Sequence, residues 1–427
     1  MPQYLSPGVY VEEVASAIQA IAGVGTSTAG FIGLVADTAT MPLRPGVTPA
    51  NPPAPTDLYP LAPANVPQLV TTWSEFKSKF GDVQDGNRVL GNAVYGFFNN
   101  GGTRCWVTRV ADLNGATSDS GTPVPATDTP APSASGTASP VDAVQKALEG
   151  FEAIDEIAIV AVPMMTGSVP ERSRRVAIRE MVLSHCERMQ DRFAILDGEE
   201  TVAGNLTPAN IYPSATGDAL GSRSTYGAVY FPYIDISGNQ DYMPPSGHIA
   251  GIYARVDASR GVHKAPANET IRGVLGLKYR VSRIQQDGLN PQGINIVREL
   301  DGSPTVWGAR TIGGDANTEF KYINVRRTFN FLRESIDEGT QWAVFEPNTP
   351  ALWQQITRNL TAFLTNIWRS GALFGNTPEE AFYVKCDAET NPPEVRELGQ
   401  VVTEIGVAIV RPAEFVIFRV SQFTAPS

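Results

Sequence analysis

The sequence of 427 residues is poor in the residue types that carry most enzyme chemistry. It holds three cysteines and three histidines, namely Cys105, Cys186, Cys386, His185, His248 and His263. The cysteines are odd in number and show no CxxC spacing, which argues against a disulfide framework and a zinc ribbon. HExxH, GxSxG and GxxxxGK[ST] motifs are also missing. We therefore predict no catalytic, metal-binding or cofactor-binding residue, and a protein that is not an enzyme.

Long apolar runs and runs of basic residues are missing as well. No apolar stretch reaches the roughly 18 residues that span a bilayer. The first residues do not show the basic and then apolar pattern of a secretory signal peptide. The net charge of −11 and the pI of about 4.9 argue against nucleic acid and anionic membranes as partners. We expect synthesis to finish in the cytoplasm, with no nucleic acid partner and no direct membrane insertion.

The composition that is present is typical of a folded protein with more than one domain. Hydrophobic residues make up 42% and charged residues 18% of the chain, whose length exceeds that of one compact core. Residues 38–67 contain nine prolines, which exclude a regular helix or central strand. Residues 112–140 are rich in Ala, Ser, Thr and Pro, and this composition predicts a flexible linker.

The middle of the chain alternates between strand and helix patterns. EIAIVAVP (156–163) and RFAILDGE (192–199) are predicted strands on either side of a predicted helix at 173–190. Such spacing predicts a βαβ unit with parallel strands. AVYFPYIDI (228–236) adds a further strand, so residues 141–243 are predicted to form an α/β domain.

Two long helices are predicted in the C-terminal half. In YINVRRTFNFLRESIDEG (322–339) apolar residues recur at steps of three and four, and Gly339 is expected to end the helix. In the next segment Thr349 is a candidate N-cap and Pro350 the first helical residue. The predicted fold class is therefore mixed α/β, with several domains.

Both ends of the chain carry strand patterns. GVYVEEV (8–14) includes Val9, Tyr10 and Val11, and a stretch of small residues follows it. Glycine tolerates the backbone angles of a hinge, which makes Gly23, Gly25 and Gly30 candidate hinge residues. Near the C-terminus, PAEFVIFRVSQ has apolar side chains on both faces of a predicted strand, at Phe415, Val416, Ile417, Phe418 and Val420.

Several segments, taken together and in order, form a recognisable set of motifs. YLSPGVYVEEV at the start and PPSGHIAGIYARVDASRGVHKAPANE (244–269) resemble, respectively, the opening and the PSG–AG–YAR–D–RG–KAPAN pattern of the contractile tail sheath proteins. LNPQGINIVRELDGSPTVWGARTI, QWAVFEPNTPALWQQI, GALFG and PAEFVIFRVSQ continue the resemblance in the same order. The match covers residues 1–36 and about 244–425, and no single motif in it is catalytic.

The resemblance implies a structural role. Sheath subunits polymerise as a six-start helix around an inner tube and contract to drive the tube through a target envelope. The implied partners are further copies of the chain, the inner tube protein, and baseplate and terminator or cap proteins, in a phage tail or tail-like particle assembled in a bacterial cytoplasm. No cofactor is implied. The family also implies terminal arms that lend strands to neighbouring subunits.

The resemblance assigns a domain plan to the predicted elements. We expect an N-terminal strand-donating arm at 1–22 and a sheath core formed by 23–111 and 244–410. The linker at 112–140 leads to an inserted outer α/β domain at 141–243. A C-terminal strand-donating arm follows at 411–427.

The two apolar ends explain how such subunits stay connected. An exposed sheet edge accepts an added strand through main-chain hydrogen bonds, and alternate side chains set its register. We therefore expect the strand residues of both arms to pair outside their own subunit. Two alternatives remain open: a baseplate or terminator homologue that does not form a long sheath, and an α/β enzyme or binding module in 141–243, because fold does not fix function.

Overall fold

The computed structural model describes residues 20–48, 52–111, 140–215 and 219–419. The chain divides into two compact units. The smaller unit comprises Met1–Gly23 and Leu332–Ile409, and the larger unit comprises Val24–Phe331 and Val410–Ser427. The predicted linker lies outside the described residues except for Pro140.

The strands, in chain order, are β1 (Ala29–Leu34), β2 (Gln68–Val70), β3 (Cys105–Val110), β4 (Ile159–Ala161), β5 (Phe193–Asp197), β6 (Gly227–Phe231), β7 (Ile234–Asp235), β8 (Tyr242–Met243), β9 (Glu269–Thr270), β10 (Gly276–Leu277), β11 (Ile294–Leu300), β12 (Ser303–Val306), β13 (Phe382–Lys385) and β14 (Glu404–Val407). The helices are α1 (Trp73–Phe80), α2 (Arg88–Asn99), α3 (Pro140–Glu152), α4 (Arg172–Met189), α5 (Pro208–Ile211), α6 (Ser246–Arg260), α7 (Arg283–Leu289), α8 (Ile323–Thr340), α9 (Pro350–Arg369), α10 (Pro378–Ala381) and α11 (Pro393–Glu397). Within the described ranges no helix is both long and apolar enough to cross a membrane.

The larger unit is built on one nine-stranded sheet. Its strand order is β2-β3-β1-β4-β5-β6-β11-β12-β9. The six strands from β3 to β11 pair in parallel, while β2, β12 and β9 pair antiparallel to their neighbours. The prediction of a mixed α/β fold with a parallel βαβ unit is thus confirmed.

Helices cover both faces of this sheet. Phe31, Ile195 and Tyr230 pack in one core with residues of α2 and α6. Their neighbours Ile32 and Ala194 pack in a second core with residues of α3 and α4. A parallel sheet that is buried on both faces requires apolar residues at successive positions, which is why its strands appear as continuous apolar runs in the sequence.

Residues 141–243 do not form a separate inserted domain, contrary to the sequence-based expectation. Their strands β4, β5 and β6 lie in the middle of the nine-stranded sheet, between β1 and β11. Backbone pairing of β4 with β1, and of β6 with β11, makes this stretch part of one continuous sheet. The sequence pattern identified the strands correctly but held no information on their non-local partners.

Gly30 was predicted to be a hinge, and this prediction is wrong. The residue lies inside β1, where it is paired with Trp106 on one side and Val160 on the other. A Cβ atom at this position would lie 2.7 Å from Cε2 of Phe151. The glycine therefore allows α3 to pack against the sheet, and strand pairing on both sides holds its backbone.

Helices α2 and α6 approach each other at glycines. A Cβ atom at Gly247 would lie 2.3 Å from the carbonyl oxygen of Ala93, and one at Gly251 would lie 2.4 Å from that of Phe97. Two glycines of the segment PSGHIAGIYAR, Gly247 and Gly251, thus lie where the backbones of α2 and α6 are in close contact and leave no room for a side chain.

The smaller unit contains the C-terminal part of α8 together with α9, α10, α11, β13 and β14. The predicted start of α9 is confirmed, because Pro350 is its first residue and Thr349 adopts the extended N-cap conformation. Its apolar stripe is buried, as at Leu352, Ile356 and Leu360. Helix α8 was predicted to end at Gly339 and continues one residue further, to Thr340. A Cβ atom at Gly339 would lie 2.5 Å from the side chain of Ile21.

Candidate inter-subunit interface

The C-terminal arm carries an exposed apolar segment. Residues 411–419 form neither helix nor strand. Four consecutive side chains are largely exposed, with values of 70% for Phe415, 69% for Val416, 78% for Ile417 and 85% for Phe418. Contiguous apolar surface of this kind marks interaction sites in soluble proteins.

The predicted strand at 415–420 has no partner in its own subunit among the described residues. A strand forms only when its main-chain groups pair with another strand. Val420 lies outside the described residues, as do Val9, Tyr10 and Val11 of the N-terminal arm. Pairing of both arms with neighbouring subunits therefore stays a prediction.

The residue before the exposed segment is firmly held. The two carboxylate oxygens of Glu414 accept hydrogen bonds from Nε and Nη2 of Arg310, both at 2.8 Å. Asn290 donates a third bond at 2.7 Å, and the hydroxyl of Tyr322 donates a fourth at 2.9 Å. The side chain of Arg310 is only 3% exposed and also pairs with Asp315 at 3.0 Å. We call this set of residues the Glu414 clamp.

The electrostatics of the Glu414 clamp favour the charged pair. Burial alone would raise the pKa of Glu414, but the hydrogen bonds from Arg310 and Asn290 outweigh burial and hold it below its usual value. Burial would lower the pKa of Arg310, and the bond to Glu414 raises it instead. Burial and the bond to Glu414 together raise the pKa of Tyr322 to about 12. Both partners of this bidentate ion pair therefore stay ionised at neutral pH.

A second contact holds the backbone four residues upstream. Nδ2 of Asn324, in the first turn of α8, donates to the carbonyl oxygen of Val410 at 3.1 Å and to that of His263 at 2.7 Å. The C-terminal arm is thus fixed to the larger unit at Val410 and at Glu414, immediately before its apolar segment begins.

The root of the N-terminal arm is held in a comparable way. Arg327 of α8 pairs with Asp257 through Nη1 at 2.9 Å and Nη2 at 2.6 Å, and both side chains are buried. Thr26 joins this pair, because its hydroxyl donates to Asp257 at 2.7 Å and its carbonyl oxygen accepts from Arg327 at 2.9 Å. The ring of Tyr253 lies 4.6 Å from the guanidinium group.

The two remaining hinge candidates lie just before this root. Gly23 is the last residue of the first segment of the smaller unit, and Val24 begins the larger unit. Gly25 is exposed, and a Cβ atom there would meet nothing within 4 Å. Gly25 therefore has the room that a hinge needs. At Gly30, by contrast, close packing against Phe151 leaves no room for a side chain.

The smaller unit presents a two-stranded sheet that the sequence analysis did not single out. Antiparallel strands β13 and β14 pair from Phe382 opposite Val407 to Lys385 opposite Glu404. No other strand of the described residues joins this sheet, so each of its strands has one open edge. Tyr383 is 58% exposed, and its ring covers Gly406 on the facing strand. Unpaired edges of this kind accept an added strand.

The residues that are usually reactive are buried in structural positions. Burial raises the pKa of the Cys105 and Cys186 thiols well above the ordinary value. It lowers the pKa of His185 and of His248 to about 4. In the part of the chain that the structure describes, no group of three or more His, Cys, Asp or Glu side chains is placed to hold a metal ion.

Comparisons with known proteins agree with a structural assembly unit. Residues 138–312 match the family model for the phage tail sheath protein central domain, and residues 315–423 match that for the phage tail sheath C-terminal domain. The tail sheath protein of Vibrio phage KVP40 is 30% identical over 218 residues, which are 49% of this chain and 31% of that protein. The chain thus spans about a third of the length of this curated relative.

Solved structures match along nearly the whole chain. The contracted helical sheath of the anti-feeding prophage has a TM-score of 0.71 at 27% identity, over 97% of this chain and 99% of that one. The contracted sheath complex of PVC, an extracellular contractile injection system, has a TM-score of 0.70 at 26% identity, over 99% of both chains. Tail sheath proteins are structural proteins, which agrees with the expectation of a protein that is not an enzyme.

The chain belongs to the phage tail sheath family, as the two family models and the two sheath structures agree. The resemblance inferred from the sequence motifs is therefore confirmed. It extends further than those motifs suggested, because the central-domain match begins at residue 138, well before the motifs that start at residue 244.

Proposed function

We propose that this protein is the sheath subunit of a contractile phage tail or tail-like injection particle. Copies assemble as a six-start helix around an inner tube protein, and contraction drives that tube through a target envelope. Baseplate and terminator proteins lie at the ends of the polymer, which assembles in the bacterial cytoplasm. The observation that carries this proposal is the exposed apolar segment Phe415–Phe418 on a chain whose structural relatives are subunits of contracted sheaths.

The arms and the two-stranded sheet supply complementary halves of a repeating contact. One copy offers an apolar segment without a strand partner, and the next copy offers the open edges of β13 and β14. A contact between two different surfaces is heterologous, and repetition of it builds an open helical filament. Strand donation holds subunits together by main-chain hydrogen bonds, while Gly23 and Gly25 allow the connection to bend as subunits move.

Imaging of the native particle tests this function directly. We expect this chain to be among the most abundant components and to form the outer cylinder in negative-stain electron micrographs. A contraction trigger should shorten and widen that cylinder and expose the inner tube. A particle that contains only a few copies of the chain at one end would contradict a sheath role. Such a result would favour the alternative of a baseplate homologue. A baseplate structure of the anti-feeding prophage also matches this chain.

Removal of residues 1–14 tests the N-terminal arm. This deletion removes the predicted strand 8–14, and we expect monomers that no longer form tubes because one of the two donated strands is missing. Deletion of residues 1–6 is the matched control, since it leaves that strand intact and should preserve assembly. Sedimentation and electron microscopy measure both variants. Full-length tubes from the 1–14 deletion would show that this arm is not needed.

A further inference from the structure

One short stretch at the start of α8 contacts the roots of both arms. Tyr322 donates to Glu414, Asn324 donates to the carbonyl oxygen of Val410, and Arg327 donates to that of Thr26. Thr26 and Arg327 are 301 positions apart in sequence, and Tyr322 and Glu414 are 92 apart. Residues 322–327 thus contact the residues from which both arms extend, namely Thr26 on the N-terminal side and Val410 and Glu414 on the C-terminal side.

We propose that residues 322–327 are a common anchor for both arms, and that Glu414 is a positioning residue that sets the course of the C-terminal arm before it meets a neighbouring subunit. This inference rests on the proposed function of the arms as strand donors. A covalent connection alone would hold the arm to its subunit but would not fix the direction of the arm. The ion pair between Glu414 and Arg310 fixes that direction.

The geometry of the Glu414 clamp restrains orientation as well as position. A bidentate arginine–carboxylate pair fixes the plane of the carboxylate, which a single ion contact does not. The bonds from Asn290 and Tyr322 occupy the same two oxygens, so all of the strong acceptor positions of Glu414 are used within the larger unit. The four residues that follow, Phe415 to Phe418, are each at least 69% exposed.

Restraint at the root has a physical consequence for strand donation. A freely moving arm must lose conformational entropy when it enters a sheet edge, and a preoriented arm loses less. The same connection carries load when neighbouring subunits move apart. At the anchor, that load passes into α8 through side chains that are almost fully buried, since Asn324 is 1% exposed and Arg327 is 4% exposed.

A distance measurement in the free monomer tests the positioning role. Spin labels are placed on Ile417→Cys in the arm and on Lys146→Cys on the exposed side of α3, and the three native cysteines are buried and do not compete. We expect Glu414→Gln to at least double the width of the distance distribution, because the charge of the pair is lost. Tyr322→Phe removes one hydrogen bond and should give an intermediate width. An unchanged width in Glu414→Gln would overturn the inference.

Glu200→Gln is the matched control for this measurement. Glu200 has a similarly exposed side chain, 16% compared with 18% for Glu414. It also combines an ion pair, here with Lys278, with a hydrogen bond that the backbone N–H of Thr166 donates. This substitution lies away from the arm and should leave the distribution unchanged. Equal broadening in both variants would mean that loss of any such pair loosens the chain, and it would refute a specific role for Glu414.

Assembly of the unlabelled variants separates this inference from the proposed function. We expect Glu414→Gln to raise the protein concentration needed for tube formation at least tenfold, and Glu200→Gln to leave it within twofold of the unsubstituted protein. Tubes that form equally well with a loosened arm would overturn the positioning role while leaving strand donation intact. The proposed function itself would fail if variants with a disrupted apolar segment assembled normally.

Discussion

Replacement of both Phe415 and Ile417 by Asp is expected to leave a folded monomer that forms no sheath. The two side chains are 70% and 78% exposed in the isolated subunit, so their loss costs the monomer little. Burial of one Phe or Ile side chain in a neighbouring subunit contributes roughly 1.5–3 kcal/mol. Loss of both contributions, with two carboxylates added, removes at least about 3 kcal/mol per contact, which corresponds to more than about a hundredfold in affinity.

Sedimentation and electron microscopy measure this loss, and circular dichroism verifies that the monomer is folded. Ile284→Asp is the matched control, because Ile284 is 84% exposed on α7 and lies outside both arms. We expect that control to assemble like the unsubstituted protein. If the Phe415 and Ile417 double variant still forms tubes of full length, the C-terminal arm does not join subunits through its apolar side chains.

Gly251→Ala is expected to destabilise the larger unit by about 3 kcal/mol, because overpacking of a rigid contact costs 1–3 kcal/mol or more. The added methyl group would lie 2.4 Å from the carbonyl oxygen of Phe97 and 2.7 Å from Cβ of Asn100. Neither atom can rotate away, so α2 and α6 must separate. The melting temperature of a unit of this size should fall by roughly 4–5 °C in a thermal denaturation followed by circular dichroism.

Gly288→Ala provides a control in which the added methyl group should not lower the melting temperature. Gly288 lies in α7, where a Cβ atom would meet nothing within 4 Å. Alanine in a helix is favoured over glycine by about 0.5–1 kcal/mol, so this variant should melt at the same or a slightly higher temperature. An unchanged melting temperature in Gly251→Ala would show that the helix crossing relaxes without cost.

Acid is expected to release the Glu414 clamp before the larger unit unfolds. The pKa of Glu414 is lower in the folded protein than its ordinary value of 4.5, so its contribution is complete above that value and is lost as the pH falls through the folded pKa. The distance distribution of the labelled arm should therefore stay narrow at neutral pH and broaden only below about pH 4.5. Broadening that begins near neutral pH would contradict this assignment.

The local elements of the fold were predictable because their signals are local. The steps of three and four in α8 and α9, the apolar runs of β4 and β5, and the Thr349–Pro350 start all depend on neighbours within a few residues. The Gly30 hinge and the inserted domain at 141–243 were wrong for the opposite reason. Both depend on partners that are distant in sequence, such as Phe151 beside Gly30 and Ile294 beside Val229.

The sequence by itself determined the family and the apolar character of the chain ends, since the order of motifs and the types of side chains are properties of the linear chain. Only the tertiary structure showed that Glu414 is held by Arg310, and Thr26 by Arg327, across 104 and 301 positions. Such pairs form when the packing of the sheet and helices brings distant residues together. Nothing in a lone glutamate before FVIF, or in a threonine among small residues, identifies its partner in advance.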